Sequence, residues 1–230
     1  MKTADPSRYI DHTLLKPEAT RSDIEKLCRE AKRWNFASVC VNPCWASLAA
    51  EKLKGSGVKT CAVIGFPLGG DTVVERISAI ATLLEAGVEE FDFVMNAGRF
   101  RSDAEELFDE YAFIAMLFGG RFVGKLIIEC CLLTDDEKTL ACMMAKKAGF
   151  DFVKTSTGFG SGGATVHDVR LIRKAVGRKT GVKAAGGIRT LADVEAMIAA
   201  GATRIGTSSG VGIMKEYKKR EKSDGGRMHS

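Results

Sequence analysis

The segment 149–163, GFDFVKTSTGFGSGG, decides the fold because it shows the pattern that recurs along the chain. A short apolar run leads to Lys154, and a glycine-rich turn follows it. Side chains alternate along a strand, so Phe152 and Lys154 point to one face while Asp151 and Val153 point to the other. The segment therefore predicts a short buried strand that carries a lysine at its carboxyl end.

Other segments show the same strand pattern, and helical patterns of ten or more residues separate them. The predicted strands are 9–14, 38–41, 60–64, 90–95, 125–129, 152–155, 182–185 and 204–207. Strands that alternate with such helices indicate a parallel sheet, and eight units fit closure into a barrel. We therefore predict an α/β fold, a single-domain (β/α)8 TIM barrel with an extra N-terminal helical segment. The alternative is an open doubly wound sheet, but polar residues after nearly every strand favour the barrel.

Capping residues predict where several helices begin. Ser22 with Glu25, and Thr134 with Glu137, have the spacing of a capping box. Both pairs fall between predicted strands. This placement supports the count of eight strand-helix units.

The composition indicates one globular domain with a basic end. The chain has 230 residues, of which 45% are hydrophobic and 27% charged, which is ordinary for a single globular core. We assign residues 1–220 to the barrel and 221–230 to a disordered tail. The net charge of +5 comes partly from a run near this tail, Lys215, Lys218, Lys219, Arg220 and Lys222. Such a run is usually a solvated helix end, so we predict no nucleic-acid partner.

Two sequence features indicate a cytoplasmic protein. No apolar stretch approaches the roughly 20 residues that are needed to span a bilayer. Residues 1–6, MKTADP, lack the apolar core of a signal peptide. We therefore predict a cytoplasmic location and no membrane partner.

The cysteines and histidines indicate neither disulfides nor a metal site. Seven cysteines are an odd number, and most lie in apolar patterns where a reduced thiol packs as a small hydrophobe. Only three histidines exist, and none has zinc-ligand spacing with Cys40 and Cys44. We predict no metal and no cofactor. Cys40, at a strand end, is a supporting residue that either faces the site as a thiol or only packs, and packing is commoner.

Two strand-end lysines are the candidate catalytic residues. A lysine on a buried strand before a glycine-rich turn is well placed to lose its proton and attack a carbonyl carbon. Lys154 has this position, and Lys183 closes a similar strand that runs into Gly186 and Gly187. Taken alone, such a lysine is more often a surface residue. Two of them suggest one shared site, in which the Lys183 ammonium favours the neutral amine of Lys154.

Acidic residues are expected to converge on the two lysines inside the barrel. Buried charges must be paired, and Asp11, Asp92 and Glu129 supply the opposite sign. Asp92 is expected to balance the charge and to move protons through water. We expect Glu129 to orient the lysines rather than to exchange protons.

Glycine-rich turns after the last two strands predict a phosphate site. Loops after strands seven and eight of a barrel commonly hold phosphate, and glycine amides with a helix N-terminus form an anion cradle. The predicted substrate-binding and phosphate-binding residues are Asp11, Thr155, Gly186, Gly187, Gly206, Ser208 and Ser209. The glycines between residues 158 and 163 lack the full nucleotide-binding spacing, and we interpret them as a flexible substrate loop.

Five segments together resemble the deoxyribose-phosphate aldolase family. They are IDHTLLK at 10–16, VCVNP at 39–43, VIGFPLG at 63–69, FVKTSTG at 152–158 and VKAAGGIR at 182–189. The segments occur in the family's order, and the resemblance extends over residues 9–214. It implies a metal-independent class I aldolase. In that family Lys154 is the Schiff-base nucleophile, and Asp92 and Lys183 are proton donors and acceptors.

The sequence departs from the family pattern at two places. Family members often end in a tyrosine that reaches the site, whereas this chain has no tyrosine after Tyr217. Phe159 occupies a position where some relatives carry a phosphate-binding lysine. We therefore expect phosphate binding to depend more on backbone amides.

The resemblance implies reversible cleavage of 2-deoxy-D-ribose 5-phosphate to D-glyceraldehyde 3-phosphate and acetaldehyde, in deoxyribonucleotide catabolism. The expected partners are phosphosugar and aldehyde substrates and further copies of the chain, in a dimer or tetramer. Two alternatives remain. One is another Schiff-base sugar-phosphate lyase or transaldolase, and the other is a non-catalytic phosphosugar-binding paralogue. The combination of Lys154, Lys183 and Asp92 disfavours the paralogue.

Overall fold

A computed structural model describes residues 5–226 as alternating strands and helices. A 3-10 turn, Pro6–Tyr9, precedes the first strand and is the described part of the predicted N-terminal helical segment. The strands are β1 (Ile10–Leu14), β2 (Ser38–Val41), β3 (Lys59–Ile64), β4 (Glu90–Val94), β5 (Val123–Ile127), β6 (Phe152–Lys154), β7 (Gly181–Ala185) and β8 (Arg204–Thr207). The helices are α1 (Arg21–Trp34), α2 (Pro43–Leu53), α3 (Val73–Glu85), α4 (Ala97–Ser102), α5 (Ala104–Phe118), α6 (Asp135–Lys147), α7 (Val166–Val176), α8 (Leu191–Ala200) and α9 (Gly210–Gly226).

All eight strands are parallel and form one closed barrel, in which β8 pairs with β1. Asp92 pairs with Lys125 across β4 and β5, and Lys154 pairs with Lys183 across β6 and β7. The carboxyl ends of the strands therefore lie at one end of the barrel, where TIM-barrel enzymes hold their active sites. The predicted (β/α)8 barrel is confirmed, and the open sheet is excluded.

Alternation along β4 separates apolar packing from a charged interior. Phe91 and Phe93 face outward, where their rings contact Phe122 and Phe150 at centroid distances of 5.0 and 5.4 Å respectively. Burial of one such ring contributes about 1.5–3 kcal/mol. Asp92, between them, points into the barrel and is fully buried. The aromatic packing thus fixes the strand that carries this carboxylate.

The capping box of α1 differs from the prediction. Thr20 and Asp23 form it, because the Thr20 hydroxyl accepts the Asp23 N–H and the Asp23 carboxylate accepts the Thr20 N–H. Ser22 and Glu25 have the same spacing but lie inside the helix, which begins at Arg21. The capping box predicted for α6 is confirmed. None of the described helices has the length and apolar character that a membrane-spanning helix requires.

Helix α9 continues past the predicted boundary at residue 220. Tyr217 and Lys218 each contact the carboxylate of Glu221, at 3.2 and 2.7 Å. The Ser223 hydroxyl also donates to the carbonyl of Arg220. These contacts lie about one turn apart within α9, which ends at Gly226, so the first part of the predicted disordered tail is helical. Residues 227–230 of that tail lie outside the described residues.

Candidate active site

A cavity of about 460 Å³ opens at the carboxyl ends of β1, β6, β7 and β8. The turns that follow these four strands supply most of its wall. Lys154 lines the cavity and is only 2% exposed. A molecule in the cavity can therefore contact a lysine amine that bulk solvent scarcely reaches.

Lys154 and Lys183 share one carboxylate oxygen of Asp92. The Nζ atom of each lysine lies 2.7 Å from Asp92 Oδ2. Lys125 Nζ lies 2.9 Å from the other oxygen, Oδ1. The structure thus brings the three predicted catalytic residues into direct contact and adds a third lysine that the sequence interpretation did not assign to the site.

A second layer of ion pairs lies nearer the amino ends of the strands. Asp11 Oδ2 is 2.5 Å from Lys183 Nζ, and Asp11 Oδ1 is 2.6 Å from Arg204 Nη1. Glu90 contacts both Arg204, at 3.2 Å, and Lys125, at 2.8 Å. The structure places Asp11 in this layer rather than on the cavity wall, so its predicted substrate contact is replaced by a contact with Lys183. The reason is its position low on β1, where alternation points it into the barrel.

The ion pairs fix the charge states of the buried groups. Burial by itself raises the pKa of Asp92, but Lys125, Lys154 and Lys183 outweigh it and hold that pKa well below its ordinary value. Burial lowers the pKa of Lys183, whereas Asp11 and Asp92 raise it, and the net shift is upward. Burial lowers the pKa of Lys125, but Asp92 raises it, and the net shift is upward. Burial raises the pKa of Asp11, but Lys183 lowers it, and the net shift is downward. Asp92 is therefore a carboxylate and Lys183 an ammonium at neutral pH.

Two buried thiols complete the surroundings of Asp92. Cys61 Sγ lies 3.3 Å from Asp92 Oδ1, and Cys40 Sγ lies 3.9 Å from Oδ2. With the carboxylate, the two sulfur atoms form a set within 4.8 Å that resembles a soft-metal site. The ammonium groups around Asp92 repel a cation, and burial raises the pKa of Cys61 well above its ordinary value, which disfavours the thiolate ligand. The supporting position predicted for Cys40 is thus beside Asp92, beneath the cavity.

Glu129 does not orient the lysines, because its carboxylate binds Thr157 on the loop after β6. Its Oε2 atom accepts hydrogen bonds from the Thr157 N–H at 3.1 Å and the Thr157 hydroxyl at 2.5 Å. Strand β5 ends at Ile127, and Glu129 has a left-handed backbone with φ of 52°. Strand alternation therefore does not extend to Glu129. Its observed contacts fix the loop that forms one wall of the cavity.

Thr155 also differs from its predicted role in substrate binding. Its hydroxyl donates to the Ala185 carbonyl and accepts the Ala185 N–H, both at 3.1 Å. The side chain is fully buried. Thr155 therefore joins β6 to β7, and holds the two strands that carry the paired lysines.

Several of the predicted phosphate-binding residues line the cavity, and one of them also allows close packing beneath it. Gly186 and Gly187 line the cavity with left-handed φ values of 88° and 80°, which favour glycine. Ser208 is exposed and lines it too. Gly206 also lines the cavity, but a Cβ atom there would lie 3.2 Å from Lys183 Cε. Glycine at this position therefore lets β8 approach the lysine.

Ser209 has a backbone role in the turn before α9. Its N–H donates to the Thr207 hydroxyl at 2.9 Å, and that hydroxyl donates to the Ile188 carbonyl at 2.7 Å. The Ser209 N–H is thus already engaged in a hydrogen bond. The contacts connect the turn after β7 with the turn after β8, so the two predicted phosphate loops form one unit.

Charged and aromatic side chains surround the mouth of the cavity. Lys16 and Arg189 line it from the turns after β1 and β7. Phe159 lines it from the turn after β6, and its ring contacts Phe66 edge-on at a centroid distance of 5.2 Å. The cavity thus combines cations, glycine backbone and one apolar wall above a buried amine.

Several residues of the site were not predicted from the sequence, although strand alternation could have indicated some of them. Lys125 is paired with Asp92 in the sheet and alternates with outward-facing apolar residues. Glu90 lies two residues before Asp92 and so points to the same face. Period-two alternation could therefore have indicated both. Arg204 required the closed geometry of the barrel, because its partners Asp11 and Glu90 lie on β1 and β4.

Comparisons with known proteins identify the family. No protein-family model matches the chain. The chain is 56% identical over 209 residues to deoxyribose-phosphate aldolase of Streptococcus gordonii, covering 91% of this chain and 95% of that protein. It is 52% identical over 216 residues to deoxyribose-phosphate aldolase of Thermoanaerobacter sp. strain X514, covering 93% and 97%.

Solved structures of aldolases also resemble this chain. The tetrameric deoxyribose phosphate aldolase of Aeropyrum pernix is 35% identical, with a TM-score of 0.86 over 92% of this chain and 90% of that one. The aldolase QR15 is 37% identical, with a TM-score of 0.90 over 95% and 98%. The two relatives at more than half identity cover over nine tenths of this chain, and the two solved aldolase structures share the barrel described above. The chain therefore belongs to the deoxyribose-phosphate aldolase family.

Proposed function

We propose that the chain is a class I aldolase that forms a Schiff base on Lys154. It reversibly cleaves 2-deoxy-D-ribose 5-phosphate to D-glyceraldehyde 3-phosphate and acetaldehyde. The observation that carries this proposal is the shared oxygen of Asp92, 2.7 Å from both Lys154 Nζ and Lys183 Nζ at the cavity floor. This arrangement places an amine that can react, Lys154, beside an ammonium that can supply protons, Lys183.

The charges inside the barrel favour Lys154 as the reacting amine. Three other cations, Lys125, Lys183 and Arg204, face three acids, Asp11, Glu90 and Asp92. Among the described residues, Lys154 pairs with no acid besides Asp92, which the other lysines also contact. A neutral Lys154 leaves equal numbers of buried positive and negative charges. Since uncompensated buried charge is costly, this balance supports a free amine there.

The proposed reaction begins with attack of the Lys154 amine on the aldehyde carbon of the open-chain sugar. A C–N bond forms, and loss of water gives a protonated imine. The C3 hydroxyl then loses its proton and becomes a carbonyl, while the C2–C3 bond breaks and its electron pair enters an enamine. D-Glyceraldehyde 3-phosphate leaves. Protonation of the enamine carbon and hydrolysis of the imine release acetaldehyde and restore the amine.

Asp92 and Lys183 are proposed to move the protons of these steps. Because its pKa is held low, Asp92 acts as the acceptor and as the fixed negative charge beside the imine. The Lys183 ammonium, which contacts the same Asp92 oxygen, acts as the donor. This division refines the sequence interpretation, in which both residues could donate and accept.

The phosphate of the substrate is proposed to bind at the mouth of the cavity. Gly186, Gly187 and Ser208 line it there, next to the turn that opens α9. Lys16 and Arg189 add positive charge on the same wall. These groups supply the attraction that a phosphate-binding lysine at the position of Phe159 supplies in some relatives. Backbone amides and a helix N-terminus favour an anion in such a place.

Reductive trapping tests the proposed chemistry. Acetaldehyde and cyanoborohydride should add one ethyl group to the tryptic segment that contains Lys154, and Lys154→Met should abolish the label. Lys16→Met, which removes an exposed lysine of the same cavity, is the matched control and should still be labelled. Label on Lys183 in the wild type, with Lys154 unmodified, would contradict the proposed roles.

A substrate comparison tests the reaction itself. Incubation with 2-deoxy-D-ribose 5-phosphate should produce acetaldehyde and a triose phosphate in equal amounts. Transfer of a three-carbon unit between sugar phosphates, without free acetaldehyde, would instead identify a transaldolase. Trapping without turnover of any sugar phosphate would support the non-catalytic alternative.

We also propose that the chain forms a homo-oligomer, a dimer or a tetramer. Large apolar side chains are exposed on neighbouring helices, including Phe113, Met116 and Leu117 on α5 and Leu140 and Met143 on α6. The relative from Aeropyrum pernix is described as tetrameric. Light scattering of the purified chain distinguishes monomer, dimer and tetramer by mass.

We propose that this reaction takes place in the cytoplasm. The described cysteines, including Cys40 and Cys61 beside Asp92, are free thiols. Reduced thiols persist in the cytosol and are less common outside it. Fractionation of cells that produce the native chain, followed by the acetaldehyde assay on each fraction, tests the location.

A further inference from the structure

Arg204 and Glu90 form an ion pair at the end of the barrel opposite the cavity. They are the first residues of β8 and β4, and Arg204 Nη1 lies 3.2 Å from Glu90 Oε2. The Arg204 guanidinium also lies over the ring of Phe152, at 5.3 Å from the centroid. The Arg204 side chain is 14% exposed and that of Glu90 only 3%. We call these two residues the lower pair.

The lower pair is connected to Asp92 along two routes. From Arg204, Asp11 leads to Lys183 with contacts of 2.6 and 2.5 Å, and Lys183 contacts Asp92 Oδ2. From Glu90, Lys125 leads to Asp92 Oδ1 with contacts of 2.8 and 2.9 Å. Two residues, Asp11 and Lys183, thus lie between Arg204 and the carboxylate that Lys154 contacts, and one residue, Lys125, lies between Glu90 and that carboxylate.

The charges that act on Lys154 can be named strand by strand. Asp92 on β4 contacts Lys154 directly, and the ion pairs that lead from Asp92 join the acids Asp11 and Glu90, on β1 and β4, to the cations Lys125, Lys183 and Arg204, on β5, β7 and β8. Strands β2 and β3 contribute the thiols of Cys40 and Cys61. The lower pair is the part of this set that is farthest from the cavity, so its residues can be changed without altering the cavity wall.

We propose that Arg204 and Glu90 are positioning residues that set the pH at which Lys154 becomes a free amine. They act through Asp11, Lys183, Lys125 and Asp92, and neither touches the cavity. This inference rests on the proposed function, because it assumes that Lys154 is the Schiff-base lysine. In a low-dielectric interior, one charge removed on either route changes the potential at Lys154.

Replacement of Arg204 and replacement of Glu90 should shift the pH midpoint of Lys154 trapping in opposite directions. Arg204→Gln removes a positive charge. Because this removal stabilises the Lys154 ammonium, the pH midpoint of trapping should rise. Glu90→Gln removes a negative charge and should lower the midpoint. A shift of about one pH unit is expected in each case, since a unit charge roughly 8–10 Å away acts at an effective dielectric constant near 20. Single-turnover trapping with acetaldehyde and cyanoborohydride across pH measures each midpoint.

Three further variants separate charge from structure. The double change Glu90→Gln with Arg204→Gln removes one charge of each sign and should return the midpoint towards that of the wild type. Arg99→Gln and Glu110→Gln change a matched Arg–Glu pair, 2.6 Å apart on α4 and α5 outside the barrel, and should leave the midpoint unmoved. Arg204→Met and Glu90→Met repeat the charge changes with apolar side chains, for use if a glutamine variant does not fold.

The outcomes distinguish this inference from the proposed function. Label on Lys154 with opposite midpoint shifts supports both. Label on Lys154 with midpoints that coincide, or that move in the same direction, overturns the inference and leaves the proposed function standing. Label on another lysine in the wild type overturns the proposed function, and this inference with it. A purely structural role of the lower pair lowers stability and rate but gives no opposite shifts.

Discussion

Lys154 and Lys183 are neighbours across β6 and β7, and both amino groups contact the same oxygen of Asp92 at 2.7 Å. The two lysines differ in their other partners. Lys183 also contacts Asp11 at 2.5 Å, whereas Lys154 lines the cavity. The second carboxylate holds Lys183 as an ammonium, and Lys154 is the lysine of this pair that lines the cavity. In the proposed mechanism, one carboxylate therefore contacts both the nucleophile and the proton donor.

Replacement of Lys183 tests the effect of its charge on Lys154. The pKa of Lys183 is raised, so its ammonium is present throughout the neutral range and is lost only above its ordinary value of 10.5. Lys183→Met removes this cation at all pH values. The Lys154 ammonium then becomes more stable, and the trapping midpoint should move to higher pH. Single-turnover trapping measures the midpoint separately from the fall in rate.

The control for this experiment is Lys179→Met, which removes an exposed lysine just before β7. It should leave both rate and midpoint unchanged. A midpoint for Lys183→Met that equals that of the wild type would mean that burial and Asp92 alone control Lys154. Lys183 would then serve only as a proton donor.

The sequence predicted the barrel because strand alternation and helix spacing are local properties. The convergence of Lys154, Lys183 and Asp92 was predicted in the same way, from their places on strands, together with the family resemblance. Glu129 was misplaced because its left-handed backbone, with φ of 52°, interrupts the alternation after β5. Arg204 was not identified because its partners, on β1 and β4, become neighbours only when the barrel closes.

Asp92→Asn keeps the size of the side chain but removes the charge shared by three lysines. Because the pKa of Asp92 is held well below its ordinary value of 3.8, the wild-type group is a carboxylate at neutral pH. The variant loses both the proton acceptor and the compensation of the imine charge. We expect kcat to fall roughly 100-fold or more, the usual contribution of a positioned acid-base group. Steady-state cleavage assays measure it, and a loss of only a few-fold would exclude Asp92 as the acceptor.

Removal of the Glu129 carboxylate should loosen the wall of the cavity. Glu129→Ala leaves the buried N–H and hydroxyl of Thr157 without their acceptor. An unsatisfied buried group costs about 1–3 kcal/mol, so the free energy of unfolding should fall by that amount. Glu129→Gln keeps an acceptor oxygen and is the matched control. Urea unfolding measures both variants, and equal stability of Glu129→Ala and wild type would show that the loop is fixed by other contacts.

Chelator treatment tests whether the thiols beside Asp92 bind a metal. Cys40, Cys61 and Asp92 offer three donor atoms, but the ammonium groups of Lys125 and Lys183 beside the carboxylate repel a cation. Prolonged dialysis against a strong chelator should therefore leave the cleavage rate unchanged. Elemental analysis before and after dialysis is the control. Loss of activity that Zn²⁺ restores would contradict the class I mechanism.

A negative charge at the mouth of the cavity tests the position of the phosphate. Ser208 is exposed on the cavity wall, one residue after β8 and two before α9, where a phosphate is expected at the helix N-terminus. Ser208→Asp should raise KM for 2-deoxy-D-ribose 5-phosphate at least roughly tenfold, because a unit charge within about 10 Å repels the phosphate. Ser208→Asn has nearly the same size without the charge, and should raise KM much less. The KM for plain 2-deoxy-D-ribose, which carries no charge, should scarcely change in either variant. Since repulsion acts on the phosphate alone, an equal loss for both sugars would place the anion elsewhere and attribute the effect to the shape of the turn.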